Sequence, residues 1–167
     1  MRILGIDPGY AILGYGVVDM QANHFTPVAY GALTTQANQE MPLRLGALHQ
    51  QLTELIELYK PQVVAIEELF FNKNAKTAIM VAQARGAAIV ACVSRGLPIF
   101  EYTPLQIKQA LVGYGRADKN QVQQMTKYIL HLDEIPRPDD AADGLAVALC
   151  HGNFSGGGKK PTFREGI

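Results

Sequence analysis

The order in which β-prone and helical stretches follow one another constrains this chain most. Three β-prone runs come first with no helix between them: 2–7 (RILGID), 14–20 (GYGVVDM) and 25–33. With a Pro8-Gly9 turn signal after the first, they predict an antiparallel meander. From 41 to 59, Leu45, Leu48, Leu52, Leu55, Ile56 and Leu58 recur at helical spacing, and Pro61 follows the helix end. Alternation then takes over, with a strand at 62–67 (QVVAIE), an Ala-rich helix at 74–95 stopped by Gly96, and a strand at 98–102 (PIFEY). Helices are predicted at 104–112, 120–132 and roughly 139–151, with a Gly-rich basic loop at 113–120 (GYGRADKN) and Pro136 and Pro138 before the last. A meander followed by crossover helices predicts an α/β fold, a mixed five-stranded sheet. Right-handed crossovers place its helices on both faces.

A chain of 167 residues suits one domain, expected over 1–152, with a Gly-rich basic tail at 153–167 (NFSGGGKKPTFREGI) that reads as flexible. The apolar share of 48% against 18% charged excludes whole-chain disorder. Fifteen Lys and Arg balance fifteen Asp and Glu. Neutrality argues weakly against a nucleic-acid partner, but a bound metal would cancel clustered acids, so net charge leaves the question open. Cys92 and Cys150 sit apart in apolar helical stretches with no zinc spacing, and read as reduced core residues. The chain opens as a strand rather than a signal segment, and no apolar run reaches the ~20 residues of a membrane span. A cytoplasmic protein with no membrane partner is expected.

The carboxylates carry the chemistry. Asp7 ends the first strand and Glu67 ends the fourth. If these strands are parallel neighbours, both acids emerge at one sheet edge, at the switch from meander to crossover, where open α/β sheets bind ligands. Asp140 and Asp143, three apart at the start of the last helix, share a helix face that can point at the same edge. Oxygen donors with no His or Cys among them suit Mg²⁺ or Mn²⁺ rather than zinc. Two such ions about 4 Å apart activate a water and stabilise a leaving oxygen in phosphodiester hydrolysis. Each acid also has a plainer reading. Asp7 can open a turn, Asp139 or Asp140 can cap a helix, and Glu67 and Glu68 can be solvated strand ends. Alternation alone leaves Glu67 and Glu68 both eligible, and helix spacing leaves both Asp139 and Asp140.

The ordered set GIDPG (5–9), GYG (14–16), AIE (65–67), KNA (73–75), QARG (83–86), FEY (100–102) and DAAD (140–143) resembles the RuvC family of Holliday junction resolvases, over nearly the whole chain to about residue 151. The resemblance implies a ribonuclease-H-like fold and a homodimer. It implies a Mg²⁺-dependent endonuclease that cuts four-way DNA junctions by paired nicks in strands of like polarity. It also implies work alongside the RuvA and RuvB branch-migration complex. The family's acids fall on Asp7, Glu67, Asp140 and Asp143, which leaves Asp139 as the expected helix cap.

By the same resemblance Phe70 looks like a residue that probes the junction centre, with Phe71 assisting or packing inward. Apolar side chains can unstack bases in this way, although core packing is the ordinary role of such a pair. Lys108 and Lys119 resemble basic residues near the scissile phosphate, where a cation stabilises developing charge. Arg116, Lys73 and Lys76 are candidate backbone-phosphate contacts, which position DNA without reading bases. The small-residue surface of helix 74–95 leaves room for a second copy, and a two-fold dimer suits a junction with two equivalent strands to cut. Competing readings are an actin-like ATPase, for which 167 residues supply no second lobe, a junction-binding scaffold without catalysis, and a nuclease acting on RNA in a hybrid duplex.

Overall fold

The computed structural model describes residues 1–69 and 75–155. The strands are β1 (Arg2–Asp7), β2 (Ile12–Gln21), β3 (His24–Thr34), β4 (Val63–Glu67) and β5 (Ile99–Tyr102). The helices are α1 (Met41–Tyr59), α2 (Ala75–Val93), α3 (Pro104–Val112), α4 (Lys119–Ile129) and α5 (Asp139–Phe154). The sheet order is β3-β2-β1-β4-β5. The meander is antiparallel, and β4 and β5 run parallel to β1.

The central strands explain the layering. Ile3, Leu4 and Ile6 of β1 are fully buried, as are Val64 and Ala65 of β4, because helices cover both sides of the sheet. Alternation sends Ile3 and Ala65 into a core shared with α3, α4 and α5, and Leu4 and Val64 into a core shared with α1 and α2. The predicted mixed sheet with helices on both faces is the observed one.

Most boundaries move by a residue or two. The second strand begins at Ile12, and the fourth helix spans 119–129 rather than 120–132, because the chain turns at His131 with φ 52°. Gly96 stops the segment after α2 in the left-handed region, at φ 67°. The last helix runs to Phe154, past the expected boundary at 152. Phe154 stacks on Tyr102 with ring centroids 6.0 Å apart, and Asn153 Nδ2 donates to Ala110 O at 3.0 Å, so packing carries the helix onward. Residues 156–167, most of the expected tail, lie outside the described residues.

Helix α2 is long and apolar. Residues 76–93 are long and apolar enough, by length and composition, to cross a membrane. Lys76 and Arg85 hide that run from a search for uninterrupted apolar residues. Ala84, Ala88 and Ala91 face the core on one side. On the other, Ile79 and Val90 stay 60% and 54% exposed, with exposed Ala82, Gln83 and Gly86 between them.

Candidate active site

The site grows from strand pairing. The β1–β4 ladder runs parallel to the pair Ile6–Ile66, so the next residues, Asp7 and Glu67, leave the sheet side by side at its C-terminal edge. On the other side of β1, Asp7 is opposite Gly14 of β2. Gly14 decides where the last helix sits. A Cβ there would stand 1.9 Å from the carbonyl oxygen of Asp140, so only glycine admits the helix backbone so close to the strand. Gly5 and Gly144 meet the same limit. A Cβ on Gly5 would lie 2.2 Å from Gly144 O, and one on Gly144 would lie 2.5 Å from Tyr15 C. Gly5, Gly14, Gly16 and Gly144 thus form the bed on which α5 lies, bringing Asp140 and Asp143 toward Asp7.

Glu67 and Asp7 share a hydrogen bond in which the Glu67 carboxyl donates. Burial raises the pKa of Glu67 most, followed by the charge of Asp7, to about 8. Burial, then the charge of Asp143, raises Asp7 to about 6. Burial also raises Asp143, opposed by its hydrogen bond from Lys119. Near neutrality, then, one proton bridges a pair of acids that a cation would otherwise neutralise.

Lys119 supplies part of the missing charge. Its place is set by a capping box, with Asp118 as N-cap accepting from Gln121 N at 2.8 Å. Its Nζ stands 2.9 Å from Asp143 and 3.9 Å from Asp139. Hydrogen bonding to Asp143 raises its pKa. Lys108 of α3 faces the same space and its charge lowers the pKa of Glu67. Glu67, Asp143, Lys108 and Lys119 rim a cleft of about 200 Å³ floored by Pro104, Ile107, Val122 and Ala146.

The structure therefore brings Asp7, Glu67, Asp143, Lys108 and Lys119 together, with Asp140 close enough for its charge to raise Asp7. Lys76 and Arg116 are exposed and do not line the cleft. Phe70, Phe71 and Lys73 lie outside the described residues. The expected cap is corrected: Pro138 is the N-cap of α5, and Asp139 is the first helical residue, ion-paired with Arg137. His151 lies within α5, buried with Nδ1 2.8 Å from the Tyr102 hydroxyl.

Among the described residues no three acids converge on one point as placed, and Lys119 stands among them instead. The donor set still fits a hard divalent cation. Its oxygens are all carboxylate, and a bound ion would favour the charged form of Glu67 that burial and the neighbouring acids disfavour.

Sequence reasoning assigned no role to Arg85. Its Nε donates to the carbonyl oxygen of Glu67 at 3.3 Å, and its Nη2 pairs with Glu101 of β5. A lone cation on the inner side of an Ala-rich helix, beside Ala84 and Ala88, was the available signal.

A mixed sheet ordered β3-β2-β1-β4-β5, with acids at the ends of β1 and β4 and on the helix crossing them, defines a ribonuclease-H-like domain with a nuclease-type carboxylate site. The family model for crossover junction endodeoxyribonuclease RuvC matches residues 3–151. The crossover junction endodeoxyribonuclease RuvC of Caldanaerobacter subterraneus subsp. tengcongensis is 60% identical over 151 residues, covering 90% of this chain and 92% of that protein. The solved Thermus thermophilus RuvC superposes with TM-score 0.89 at 38% identity, over 96% of this chain and 99% of that one. Thermus thermophilus RuvC in complex with its Holliday junction substrate superposes with TM-score 0.88 at 36% identity, over the same shares. The chain belongs to the RuvC family of crossover junction endodeoxyribonucleases, which are metal-dependent nucleases.

Proposed function

We propose that this chain resolves Holliday junctions, nicking two opposed strands of a four-way DNA junction by metal-dependent phosphodiester hydrolysis in recombination and repair. The observation that carries the reading is the pairing of Asp7 with Glu67 at one sheet edge beneath the glycine-bedded start of α5. Similarity to a relative solved with junction DNA supports the substrate.

Asp7, Glu67, Asp140 and Asp143 are the residues that would hold the metal. Mg²⁺ is the ion of choice, two per site, with Mn²⁺ able to substitute. Bound there, the metal supplies a lowered pKa for the attacking water and Lewis-acid stabilisation of the leaving oxygen. The rest falls to the protein. Glu67 gives up its bridging proton when the acids take their charged form. Lys119 exchanges Asp143 for a phosphate oxygen, and Lys108 faces the same cleft as a second cation for developing charge. The apolar cleft floor limits water around the reacting phosphate.

Lys73, Lys76 and Arg116 would contact backbone phosphates, and Phe70, with Phe71, would wedge into the junction centre. The exposed Ile79–Val90 stripe of α2 supports a homodimer, because it presents apolar and small side chains at helical spacing on a helix whose other face is core. RuvA and RuvB remain the proposed partners in branch migration. Two buried cysteines, neither in a disulfide, support a cytoplasmic location. Residues 1–152 form the proposed nuclease unit, with α5 extending to Phe154 and the basic tail beyond it.

The test offers the protein Mg²⁺ and two end-labelled substrates, a mobile four-way DNA junction and a linear duplex with an RNA–DNA hybrid stretch. Symmetric nicks confined to the junction are expected. Cleavage of the hybrid alone would overturn the substrate, and tight junction binding without cleavage under any divalent metal would make the chain a scaffold.

A further inference from the structure

Glu67 stands one residue beyond the end of the β1–β4 ladder, which closes at Ile6 and Ile66. Strand pairing on that side ends there, and Pro8, which has no N–H, offers the Glu67 carbonyl no further ladder bond. On the β5 side it neighbours Tyr102, and Glu68 N donates to Tyr102 O at 2.9 Å. Arg85 adds the hold from the helix above, with Nε on the Glu67 carbonyl and Nη2 on Glu101, the β5 residue in register with Ile66.

The side chains of Arg85 and Glu101 are only 17% and 24% exposed. An ion pair this covered gains little net stability, because desolvation offsets most of its attraction. It does fix direction. A guanidinium is a planar fork, so its two donors hold two acceptors at a set angle, which an ammonium cannot reproduce. Here the acceptors are the backbone of a proposed metal-holding residue and the carboxylate of the adjacent strand. Catalytic constellations tolerate only about 0.5 Å of displacement before they lose effect.

We propose that Arg85, held by Glu101, is a positioning residue that sets the backbone of Glu67, and with it the direction of the Glu67 carboxylate toward the metal. This rests on the reading of Glu67 as a metal-holding carboxylate. Arg85 touches neither substrate nor metal. It ties the catalytic strand to α2, the helix whose outer face carries the proposed dimer stripe, so the edge of the site is braced by the helix that meets the second protomer.

The experiment uses the full chain with Arg85→Met, Arg85→Lys and Glu101→Gln. Single-turnover cleavage of a mobile four-way junction is measured under saturating enzyme across a Mg²⁺ titration. Junction affinity is measured separately in EDTA. Arg85→Met is expected to lower the saturating rate about 10- to 100-fold and to raise the half-saturating Mg²⁺ concentration about tenfold. Junction affinity should stay within roughly twofold of the parent, since Arg85 has no phosphate to hold. Arg85→Lys keeps the charge opposite Glu101 but loses the fork, and should fall between. Glu101→Gln should move the Mg²⁺ requirement in the same direction by less.

Mg²⁺ curves that coincide with the parent's overturn the proposal, as does a cleavage loss matched by an equal loss of junction affinity. If Arg85→Met fails to fold, Arg85→Lys and Glu101→Gln decide by the same two readouts. A parent protein that cleaves no junction overturns the functional reading and this inference with it. A cleaving parent with indifferent variants overturns this inference alone.

Discussion

Replacing Glu67 with Gln should make the metal-free protein more stable at alkaline pH. The structure raises the Glu67 carboxyl from 4.5 to about 8, chiefly by burial. A native pKa above the unfolded value means the folded state holds the proton more tightly. The cost is therefore absent below about pH 4.5, grows as pH rises toward 8, and is complete above it. At ~1.4 kcal/mol per pH unit that interval corresponds to roughly 5 kcal/mol. Solvent reaches the half-buried pair, and the proton is shared with Asp7, so about 2–4 kcal/mol is the expected gain. A glutamine keeps a donor toward Asp7 and has no charge to desolvate. For a domain of this size the gain corresponds to roughly 4–15 °C in Tm. Thermal unfolding in EDTA at pH 8.5 and at pH 4.5 measures it, with a gap at the first and none at the second. Adding Mg²⁺ at pH 8.5 should raise the parent's Tm and leave the variant's nearly still. A variant no more stable at pH 8.5, or a gap unchanged between the two pH values, would refute the argument.

Three further outcomes are expected. Asp7→Asn should reduce junction cleavage at least ~10³-fold while gel-shift affinity for the junction stays within a few-fold, since phosphate contacts rather than the acids supply binding. Gly14→Ala places a Cβ 1.9 Å from Asp140 O, between two backbones that cannot both yield. It should cost about 2–4 kcal/mol in urea unfolding and abolish cleavage, and an unaltered midpoint would contradict the glycine bed. Val90→Glu puts a charge on the exposed stripe of α2, and sedimentation equilibrium should then report the monomer mass with the fold intact by circular dichroism.

Much of the fold was legible because burial leaves a mark on sequence. β1 and β4 read as apolar runs because both of their faces are covered, and α1 shows its stripe because one face is. Asp7 and Glu67 were legible as acids terminating such runs. Asp140 was selected by resemblance rather than by spacing, since Asp139 satisfied the same periodicity. In the structure the backbone of Asp140 lies on Gly14, while Asp139 pairs with Arg137 and stands 3.9 Å from Lys119. Lys119 was legible as a basic residue, but not as the partner of Asp143, because the α4–α5 contact is long-range. Arg85 and the buried Tyr102–His151 pair were missed for a related reason. A polar residue that meets its partner across elements carries no local periodicity.

The glycine bed holds three of the four acids on one set of backbones. Asp7, Asp140 and Asp143 stand on β1 and α5, whose backbones touch without intervening side chains at Gly5, Gly14 and Gly144. Glu67 ends β4 on the far side of β1, next to Tyr102 of β5, with its carbonyl tied to α2 through Arg85. An ion held by Glu67 together with these acids would act as a rivet between the end of β4 and α5. Amide exchange at the end of β4 should then slow when Mg²⁺ is added while the β1–β2 hairpin scarcely responds, so that loading the site is in part a local act of folding.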